Sequence, residues 1–121
     1  MMNNRDNLIS IIVPCYNEEH AIPYFYKAIT EHSTLMKNEF GVDFEYLFIN
    51  DGSVDNTLTV LKEYANKDNR VKYISFSRNF GKESAMYAGL KNASGNYIAI
   101  MDADLQDPPY LLTEMYKTII E

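Results

Sequence analysis

Apolar positions along the chain fall into four short continuous runs that alternate with longer periodic stretches. Each run is rich in Ile, Val, Leu, Phe and Tyr and is followed by polar or turn-forming residues, which is typical of a buried strand. The predicted strands span 8–14, 44–50, 71–77 and 96–101.

Between these runs, apolar residues recur every three or four positions, which predicts amphipathic helices. The first helix is predicted over 19–38. Its apolar face is formed by Ile22, Phe25, Ile29, His32 and Met36. Three residues mark the starts of the later helices: Asp55 can cap the second, Gly81 opens the third, and Asp107 precedes two prolines before the fourth.

The predicted order of elements is therefore βαβαβαβα. Near-continuous apolar strands separated by helices are typical of an α/β fold, in which helices cover both faces of a parallel sheet. In such a sheet the ligand lies outside the carboxyl ends of the strands. Because no internal linker or repeat interrupts the pattern, we expect a single domain over residues 1–121.

Composition narrows the class of function. Of the 121 residues, 46% are hydrophobic, which is enough for one core. The chain has 11 Lys and Arg against 17 Asp and Glu, and a net charge of −6 argues against nucleic-acid binding. No apolar run reaches the roughly 18 residues of a membrane span, and Met1–Leu8 is polar rather than signal-like. The chain has one cysteine, which excludes an internal disulfide framework. Together these features of the composition predict a cytoplasmic domain.

Polar residues collect where each predicted strand ends. They occupy the segments 14–18, 50–53, 77–82 and 102–107. Because the carboxyl ends of parallel strands meet along one edge of a sheet, we expect these four segments to converge on one rim. That rim is the predicted ligand site.

Two carboxylates, Asp102 and Asp104, alternate about one alanine after the fourth strand. Side chains two apart in an extended segment point the same way, and carboxylate oxygens suit Mg²⁺ or Mn²⁺. Mg²⁺ usually takes one or two carboxylates together with substrate phosphates, and Gln106 continues the same period with a carbonyl oxygen. The alternative is a solvated turn in which Asp107 caps the next helix.

The first two strand ends offer groups that suit a nucleoside. Asp51 either belongs to an ordinary Asp-Gly-Ser turn or accepts a hydrogen bond from the ring N–H of a base. Tyr16 offers an aromatic face for that base, although packing would also explain a tyrosine there. Asn17 and Glu18 either join this pocket or cap the first helix.

Arg78 and Lys82 bracket a Phe-Gly pair whose glycine permits close approach of the backbone. Two cations at this place suit a diphosphate, and a solvated loop is the alternative. Cys15 is predicted to be a buried small side chain rather than a nucleophile, and His32 to be structural. The chain contains neither the dinucleotide fingerprint Gly-x-Gly-x-x-Gly nor a Walker loop.

Four motifs occur in order: Ile-Ile-Val-Pro-Cys-Tyr-Asn-Glu-Glu, Phe-Ile-Asn-Asp-Gly-Ser-Val-Asp-Asn-Thr, Ser-Arg-Asn-Phe-Gly-Lys-Glu and Met-Asp-Ala-Asp-Leu-Gln-Asp-Pro-Pro. Together they closely resemble the family 2 glycosyltransferases, and within them the dolichyl-phosphate mannose synthase and bactoprenol glucosyltransferase group. The resemblance extends from Ile9 to the end of the chain. It implies the nucleotide-binding half of a GT-A fold and a nucleotide-sugar donor such as UDP-glucose or GDP-mannose.

The resemblance also implies roles for individual residues. The nucleotide would contact Pro14, Tyr16, Asn17, Glu18, Asp51 and Ser53. The diphosphate and sugar would lie near Arg78 and Lys82. Asp102 and Asp104 would be the catalytic, metal-binding pair, with Gln106 as a third ligand. One position departs from the family pattern. The family commonly has Asp-Asp-Gly-Ser, and here Asn50 replaces the first aspartate, so the carboxylate charge at this position is lost.

Members of this group are much longer, with an acceptor-binding half and often carboxy-terminal membrane helices. The resemblance implies inverting hexose transfer to polyprenyl phosphate by a whole protein at the cytoplasmic face of the membrane. This chain would be the donor-binding half, inactive in transfer by itself and prone to self-association through an open edge. Two alternatives remain: a nucleotide-sugar-binding module without transfer activity, and a nucleotidyltransferase, against which the missing glycine-rich phosphate loop argues.

Overall fold

The computed structural model describes residues 7–120 and confirms the predicted order of strands and helices. The elements are β1 (Leu8–Cys15), α1 (Ile22–Phe40), β2 (Asp43–Asn50), α2 (Thr57–Lys67), β3 (Val71–Ser75), α3 (Lys82–Asn92), β4 (Tyr97–Ile100) and α4 (Tyr110–Ile120). Most of the predicted polar amino terminus, residues 1–6, lies outside the described residues, as does residue 121 at the end of the predicted domain.

The four strands form one parallel sheet in the order β3–β2–β1–β4. β1 and β2 pair from Leu8 opposite Asp43 to Cys15 opposite Asn50. The chain extends the sheet from β1 through β2 to β3 and then returns to place β4 on the other side of β1. The carboxyl ends of β1 and β4 therefore flank the point where the strand order reverses, which is where open α/β sheets bind ligands.

Helices cover both faces of the sheet, as predicted. One face carries α1, α2 and α4, which contribute residues such as Phe25, Leu61 and Tyr116 to the larger apolar cluster. The other face carries α3, where Ala85 joins Ile12 in a second cluster. Right-handed crossovers place α3 on the opposite face, because the chain reverses its direction across the sheet between β3 and β4. Within residues 7–120, no helix is long and apolar enough to cross a membrane.

Helix α1 begins at Ile22 rather than at residue 19 as predicted. The intervening residues form a turn in which Asn17 adopts a left-handed conformation with φ of 54°. The carbonyl oxygen of Glu18 then accepts hydrogen bonds from the N–H groups of Ala21 and Ile22, at 3.0 and 3.1 Å. Tertiary contacts of this turn, described below, outweigh the helix propensity of its residues.

The buried face of α1 also differs from the prediction at one position. Ser33 is buried, and its hydroxyl accepts a hydrogen bond from the Tyr46 hydroxyl at 2.6 Å. His32 is half-buried instead, and its Nε2 lies 2.8 Å from the Thr113 hydroxyl of α4. This contact links α1 to α4, as expected for a structural histidine, and burial lowers the pKa of its imidazole.

A buried carboxylate, Glu45, joins β2 to the connection between α3 and β4, at the end of the sheet opposite the predicted site. One oxygen accepts a hydrogen bond from Lys72 Nζ at 2.9 Å. The other accepts bonds from the Ser10 hydroxyl at 2.5 Å and the Ser94 N–H at 2.6 Å. Burial raises the pKa of Glu45, but these hydrogen bonds outweigh burial and hold the pKa below its ordinary value.

Replacing Glu45 with glutamine is expected to lower the free energy of unfolding at pH 7 by about 1–3 kcal/mol, because a buried acceptor of three hydrogen bonds loses its charge. The folded pKa lies below the ordinary value of 4.5, so the stabilisation is complete above that pH. It is lost as the pH falls through the folded pKa. Denaturant unfolding of both proteins at pH 7 and pH 3 measures the difference, which should shrink at pH 3.

The matched control is Glu63→Gln, which removes an exposed carboxylate from α2. An unchanged gap between the Glu45 variant and the parent at the two pH values would contradict the assignment. An equal loss in the Glu63 variant would also contradict it.

Candidate functional site

A cavity of about 200 Å³ lies at the carboxyl ends of the strands, where the strand order reverses. It is lined by Pro14, Cys15, Tyr16, Glu18, Asp51, Lys82 and Asp102. All of these except Cys15 are predicted site residues, so the structure brings the strand ends together as the topology requires. The predicted site residues outside the lining are Asn17, Ser53, Arg78, Asp104 and Gln106. A larger, open groove of about 550 Å³ beside α3 contains no predicted site residue.

The turns after β1 and β2 are joined by hydrogen bonds. The Asn17 N–H donates to the Ser53 hydroxyl at 2.9 Å, and the Val54 N–H donates to Asn17 Oδ1 at 2.9 Å. The next residue, Glu18, donates its N–H to the Thr57 hydroxyl at 2.9 Å. The N-cap of α1 is Ala21, and no side chain makes a cap hydrogen bond there. The alternative in which the Asn17 and Glu18 side chains cap α1 is therefore wrong.

Asp55 supports the same pair of turns from α2. Its Oδ1 accepts a hydrogen bond from the Thr57 N–H at 2.9 Å, as expected for a residue that satisfies the first turn of a helix. Its Oδ2 accepts a bond from the Glu19 N–H at 3.3 Å. The N-cap position itself is Asn56, one residue later than predicted, although the Asp55 carboxylate does accept the N–H of the first helical residue. The contact with the β1–α1 turn is an additional role that the sequence pattern did not indicate.

Asp51 is only 4% exposed at the edge of the cavity. Its Oδ1 accepts a hydrogen bond from the Phe80 N–H at 2.8 Å, and its Oδ2 accepts bonds from the Gly81 N–H at 3.1 Å and from Asn79 Nδ2 at 3.3 Å. Three donors therefore share a carboxylate that has about four acceptor positions. Asn79 was not among the predicted site residues, and no spacing rule connects it with Asp51.

Asn50, the position that departs from the family pattern, is buried at 3% exposure. Its Nδ2 donates to the Ser75 hydroxyl at 3.0 Å, and its Oδ1 accepts the Ser53 N–H at 3.2 Å. Both ends of the amide are used, so Asn50 ties the end of β3 to the turn after β2. A neutral side chain suits this buried place.

The two carboxylates after β4 have different partners. Asp102 Oδ1 lies 2.8 Å from Lys82 Nζ, and this ion pair raises the pKa of Lys82. Asp104 Oδ2 accepts a hydrogen bond from Gln106 Nε2 at 3.1 Å. The segment is not extended as predicted: the Leu105 N–H donates to the Asp102 carbonyl oxygen at 3.1 Å, and Leu105 adopts a positive φ of 57°, so the chain turns tightly after β4. Alternation about Ala103 therefore does not by itself place the two carboxylates on one face. The Asp-x-Asp pair therefore stands on a turn at the rim, beside one cation and one amide.

The electrostatics of the rim favour a cation. Burial raises the pKa of Glu18, and the nearby carboxylates of Asp104, Asp55 and Asp102 raise it further. In the part of the chain from 7 to 120, no three His, Cys, Asp or Glu side chains are gathered closely enough to enclose a metal ion. A Mg²⁺ or Mn²⁺ ion held here by one or two carboxylates would therefore need further oxygen ligands, such as those of a phosphate, to complete its coordination.

Arg78 is exposed on the loop between β3 and α3. Its guanidinium carbon lies 4.7 Å from the centre of the Phe80 ring, within the range of a cation–π contact. The Phe80 ring in turn meets Phe76 edge-on, with centroids 5.6 Å apart. The cation of Arg78 is thus held near the rim but outside the cavity lining.

Cys15 is buried, as predicted. Burial raises the pKa of its thiol, and the charges of Glu18 and Asp55 raise it further, so the thiolate is disfavoured. Because its thiol is protonated and inaccessible, Cys15 is a buried packing residue in the wall of the cavity.

Comparison with known proteins identifies the relatives of the chain. The sequence model of Glycosyl transferase family 2 matches residues 10–121. The protein CsbB of Bacillus subtilis (strain 168) is 49% identical over 113 residues, which cover 93% of this chain and 33% of CsbB. The bactoprenol glucosyl transferase of Shigella phage SfV is 49% identical over 100 residues, covering 83% of this chain and 31% of that protein. The chain thus spans about a third of the length of these curated relatives.

Solved structures share the architecture. S. aureus TarS (residues 1–349) in complex with UDP aligns with a TM-score of 0.70 at 29% identity, covering 93% of this chain and 32% of TarS. The same protein in complex with UDP-GlcNAc aligns with a TM-score of 0.68, covering 93% of this chain and 31% of TarS. The likeness confirms the fold that the sequence motifs imply, a GT-A arrangement of a parallel sheet between helices.

Proposed function

Because the chain belongs to glycosyl transferase family 2, we propose that it binds a nucleotide-diphosphate sugar whose hexose is transferred to an acceptor. The observation that carries this proposal is the cavity where the strand order reverses. There an aromatic ring, a buried carboxylate, a lysine and one carboxylate of the Asp-x-Asp pair converge: Tyr16, Asp51, Lys82 and Asp102. These are the groups that a base, a diphosphate and its counter-ion require.

The nucleoside would occupy the side of the cavity formed by β1 and β2. Tyr16 is 46% exposed and offers its ring face to a base, between Pro14 and Glu18. Asp51 lines the cavity and would accept a hydrogen bond from a ring N–H in addition to, or in exchange for, the long contacts that it now makes, and Asn17 and Ser53 complete the turn beside it. We favour a uridine nucleotide, because TarS was solved with UDP and UDP-GlcNAc, and GDP-mannose is the alternative donor.

The diphosphate would lie toward β4, beside Lys82, and Arg78 would supply further positive charge from the loop after β3. Asp102 and Asp104 would hold Mg²⁺ or Mn²⁺ there, with Gln106 as the adjacent oxygen donor. The divalent cation would act as a Lewis acid that neutralises charge on the leaving diphosphate. Lys82, which pairs with Asp102, would then lie beside the phosphates.

The reaction we propose is an inverting displacement at the anomeric carbon. The bond from that carbon to the β-phosphate oxygen breaks, and its electron pair leaves with the nucleoside diphosphate. An acceptor oxygen forms the new bond from the opposite face. A polyprenyl phosphate acceptor, which the bactoprenol glucosyl transferase of Shigella phage SfV suggests, is largely a dianion at pH 7 and needs no strong base.

The acceptor belongs to the proposal for the whole protein, since the chain spans about a third of its relatives. A lipid-linked acceptor would bring the whole protein to the cytoplasmic face of the membrane. The 121-residue chain assayed alone is expected to bind nucleotide without transferring sugar to undecaprenyl phosphate. A whole protein that binds UDP-sugars and never transfers would instead support the alternative, a nucleotide-sugar-binding module.

We also propose that the chain self-associates through the exposed edge beside β4. Ile98 and Ile100 are 43% and 40% exposed on this edge strand, which pairs only with β1 among the described strands. Sedimentation is expected to show self-association that weakens in the Ile98→Thr, Ile100→Thr double variant. A monomer at all concentrations would contradict this part of the proposal.

Donor binding is the direct test of the proposed function. Thermal shift and calorimetry with UDP, UDP-glucose, GDP and GDP-mannose are each run with and without Mn²⁺. A ligand at a hundred times its dissociation constant is expected to stabilise the fold by about 2.7 kcal/mol. If none of the four ligands stabilises the fold, either with or without Mn²⁺, the proposal is excluded.

A further inference from the structure

We propose that Asp51 and Gly52 form a clamp on residues 78–82, which are the end of the β3–α3 connection and the first residue of α3 and are called the loop below, so that the cations of Arg78 and Lys82 face the donor diphosphate. Asp51 is then a positioning residue for the phosphates in addition to any contact it makes with the base. The diphosphate position rests on the proposed function, whereas the clamp itself rests on contacts within the chain. The two parts are therefore tested by separate measurements.

The first half of the clamp is the Asp51 carboxylate. It receives the N–H groups of Phe80 and Gly81 and the side-chain amide of Asn79, and Asn79 Nδ2 also donates to the Asp51 carbonyl at 3.2 Å. The carboxylate is nearly inaccessible, at 4% exposure, so loss of its charge would leave backbone donors without a partner. Charge-assisted bonds of this kind are about twice as strong as neutral ones.

The second half is the backbone at Gly52. A Cβ atom at this position would lie 2.0 Å from the Arg78 carbonyl carbon and 2.2 Å from the Asn79 nitrogen. Only a residue without a side chain allows the two backbones to approach so closely. The turn after β2 and the start of the loop are thus in direct contact, next to the bonds from Asp51.

The loop has few other attachments among the described residues. Arg78 and Phe80 are exposed and contact each other, and Lys82 reaches Asp102 across the rim. These contacts, and the edge-on contact of the Phe80 ring with Phe76, involve side chains, whereas the clamp holds the backbone. Releasing the clamp would leave both cations present but would free the backbone that separates them.

This arrangement predicts how the loss of affinity in an Asp51 variant depends on the number of phosphates in the ligand. A carboxylate that only reads the base contributes equally to the binding of uridine, UMP and UDP. A carboxylate that also positions Arg78 and Lys82 contributes more as phosphates are added to the ligand. The phosphate-dependent difference is therefore the signature of positioning.

The binding experiment compares Asp51→Asn with the parent chain by calorimetry, using uridine, UMP and UDP. Asparagine keeps the size but turns an NH₂ group toward the loop donors, so UDP affinity is expected to fall about tenfold and uridine affinity at most about threefold. Equal losses for the three ligands would overturn the positioning role. The control is Asp43→Asn, a carboxylate at the start of β2 that pairs with Lys37 and should leave all affinities unchanged.

The clamp is also tested without any nucleotide, by amide hydrogen exchange of the parent chain. The Phe80 and Gly81 amides are expected to exchange at least tenfold more slowly than the Asn79 backbone amide, for which no acceptor is found within the described part of the chain. Unprotected Phe80 and Gly81 amides would overturn the clamp even if Asp51→Asn fails to fold. Protected amides in a chain that binds no nucleotide would instead support the clamp and exclude the proposed function.

Discussion

Gly52→Ala is expected to abolish measurable nucleotide binding and to lower the free energy of unfolding by about 2–5 kcal/mol. Two costs add at this position. Gly52 has a positive φ of 69°, which an alanine adopts only with strain, and the new methyl group would overlap the backbone of Arg78 and Asn79. Backbone atoms cannot rotate away as a side chain can, so the loop that carries Arg78 and Lys82 must move. Denaturant unfolding and UDP calorimetry measure the two effects.

The chain contains a matched control in Gly41→Ala. Gly41 ends α1 with nearly the same φ, 74°, but a Cβ atom there would meet nothing within 4 Å. This variant carries only the conformational cost, about 1–2 kcal/mol, and should bind UDP like the parent. Equal stability losses and equal UDP binding in the two variants would show that the contact between Gly52 and the loop has no importance.

Asp104→Asn is expected to weaken UDP binding about ten- to a hundredfold when Mn²⁺ is present, and to leave the metal-free affinity unchanged. The substitution removes one of the two carboxylate charges that the proposed metal shares with the diphosphate, and each 1.4 kcal/mol corresponds to a factor of ten. Stability should change little, because a side chain on the turn after β4 contributes little apolar burial. Calorimetry with and without Mn²⁺ separates metal-dependent from metal-independent binding.

The control for this experiment is Asp107→Asn. Asp107 lies on the same connection and carries the same charge, but unlike Asp104 it is not among the carboxylates that raise the pKa of Glu18 in the cavity lining. Its replacement should leave the Mn²⁺-dependent gain in affinity intact. If the Asp104 variant also retains the full gain, the assignment of this carboxylate to the metal is wrong.

The strands and the architecture were predictable because they follow from continuous apolar runs. The run from Leu8 is buried on both faces of the sheet, and such a run has few alternatives to a central parallel strand. Element ends were less accurate. β3 stops at Ser75 rather than at residue 77, and α1 starts late, because these ends depend on partners that lie elsewhere in the sequence.

The location of the site was predictable for a similar reason. Parallel strands bring their carboxyl ends to one rim whatever the intervening sequence, so Tyr16, Asp51 and Asp102 meet in one cavity. Individual roles came from the resemblance to a family. They did not follow from residue type alone, since Asp51 in a turn is equally well explained as a turn former.

The hydrogen bonds within the site were not predictable from the sequence. Asp51 and its loop partners are separated by 28 to 30 residues, and Glu45 contacts Ser94 across 49. Periodicity and capping rules describe neighbours within a few positions, and neither rule reaches so far. The same limit explains why Asn50 looked like a defect in the family pattern, although both ends of its amide are used.

The strand order also has a consequence for how the protein is made on the ribosome. β1 is a central strand, but its second neighbour, β4, begins only at Tyr97, roughly 80 residues after β1 ends. At a translation rate of about 5–20 residues per second, β4 is synthesised about 4–16 s after β1. During that interval the nascent chain carries β1, β2 and β3 with one side of β1 unpaired, a template for unwanted pairing. The Asp-x-Asp carboxylates follow β4, so the proposed donor site is complete only after this strand and the turn behind it have been synthesised.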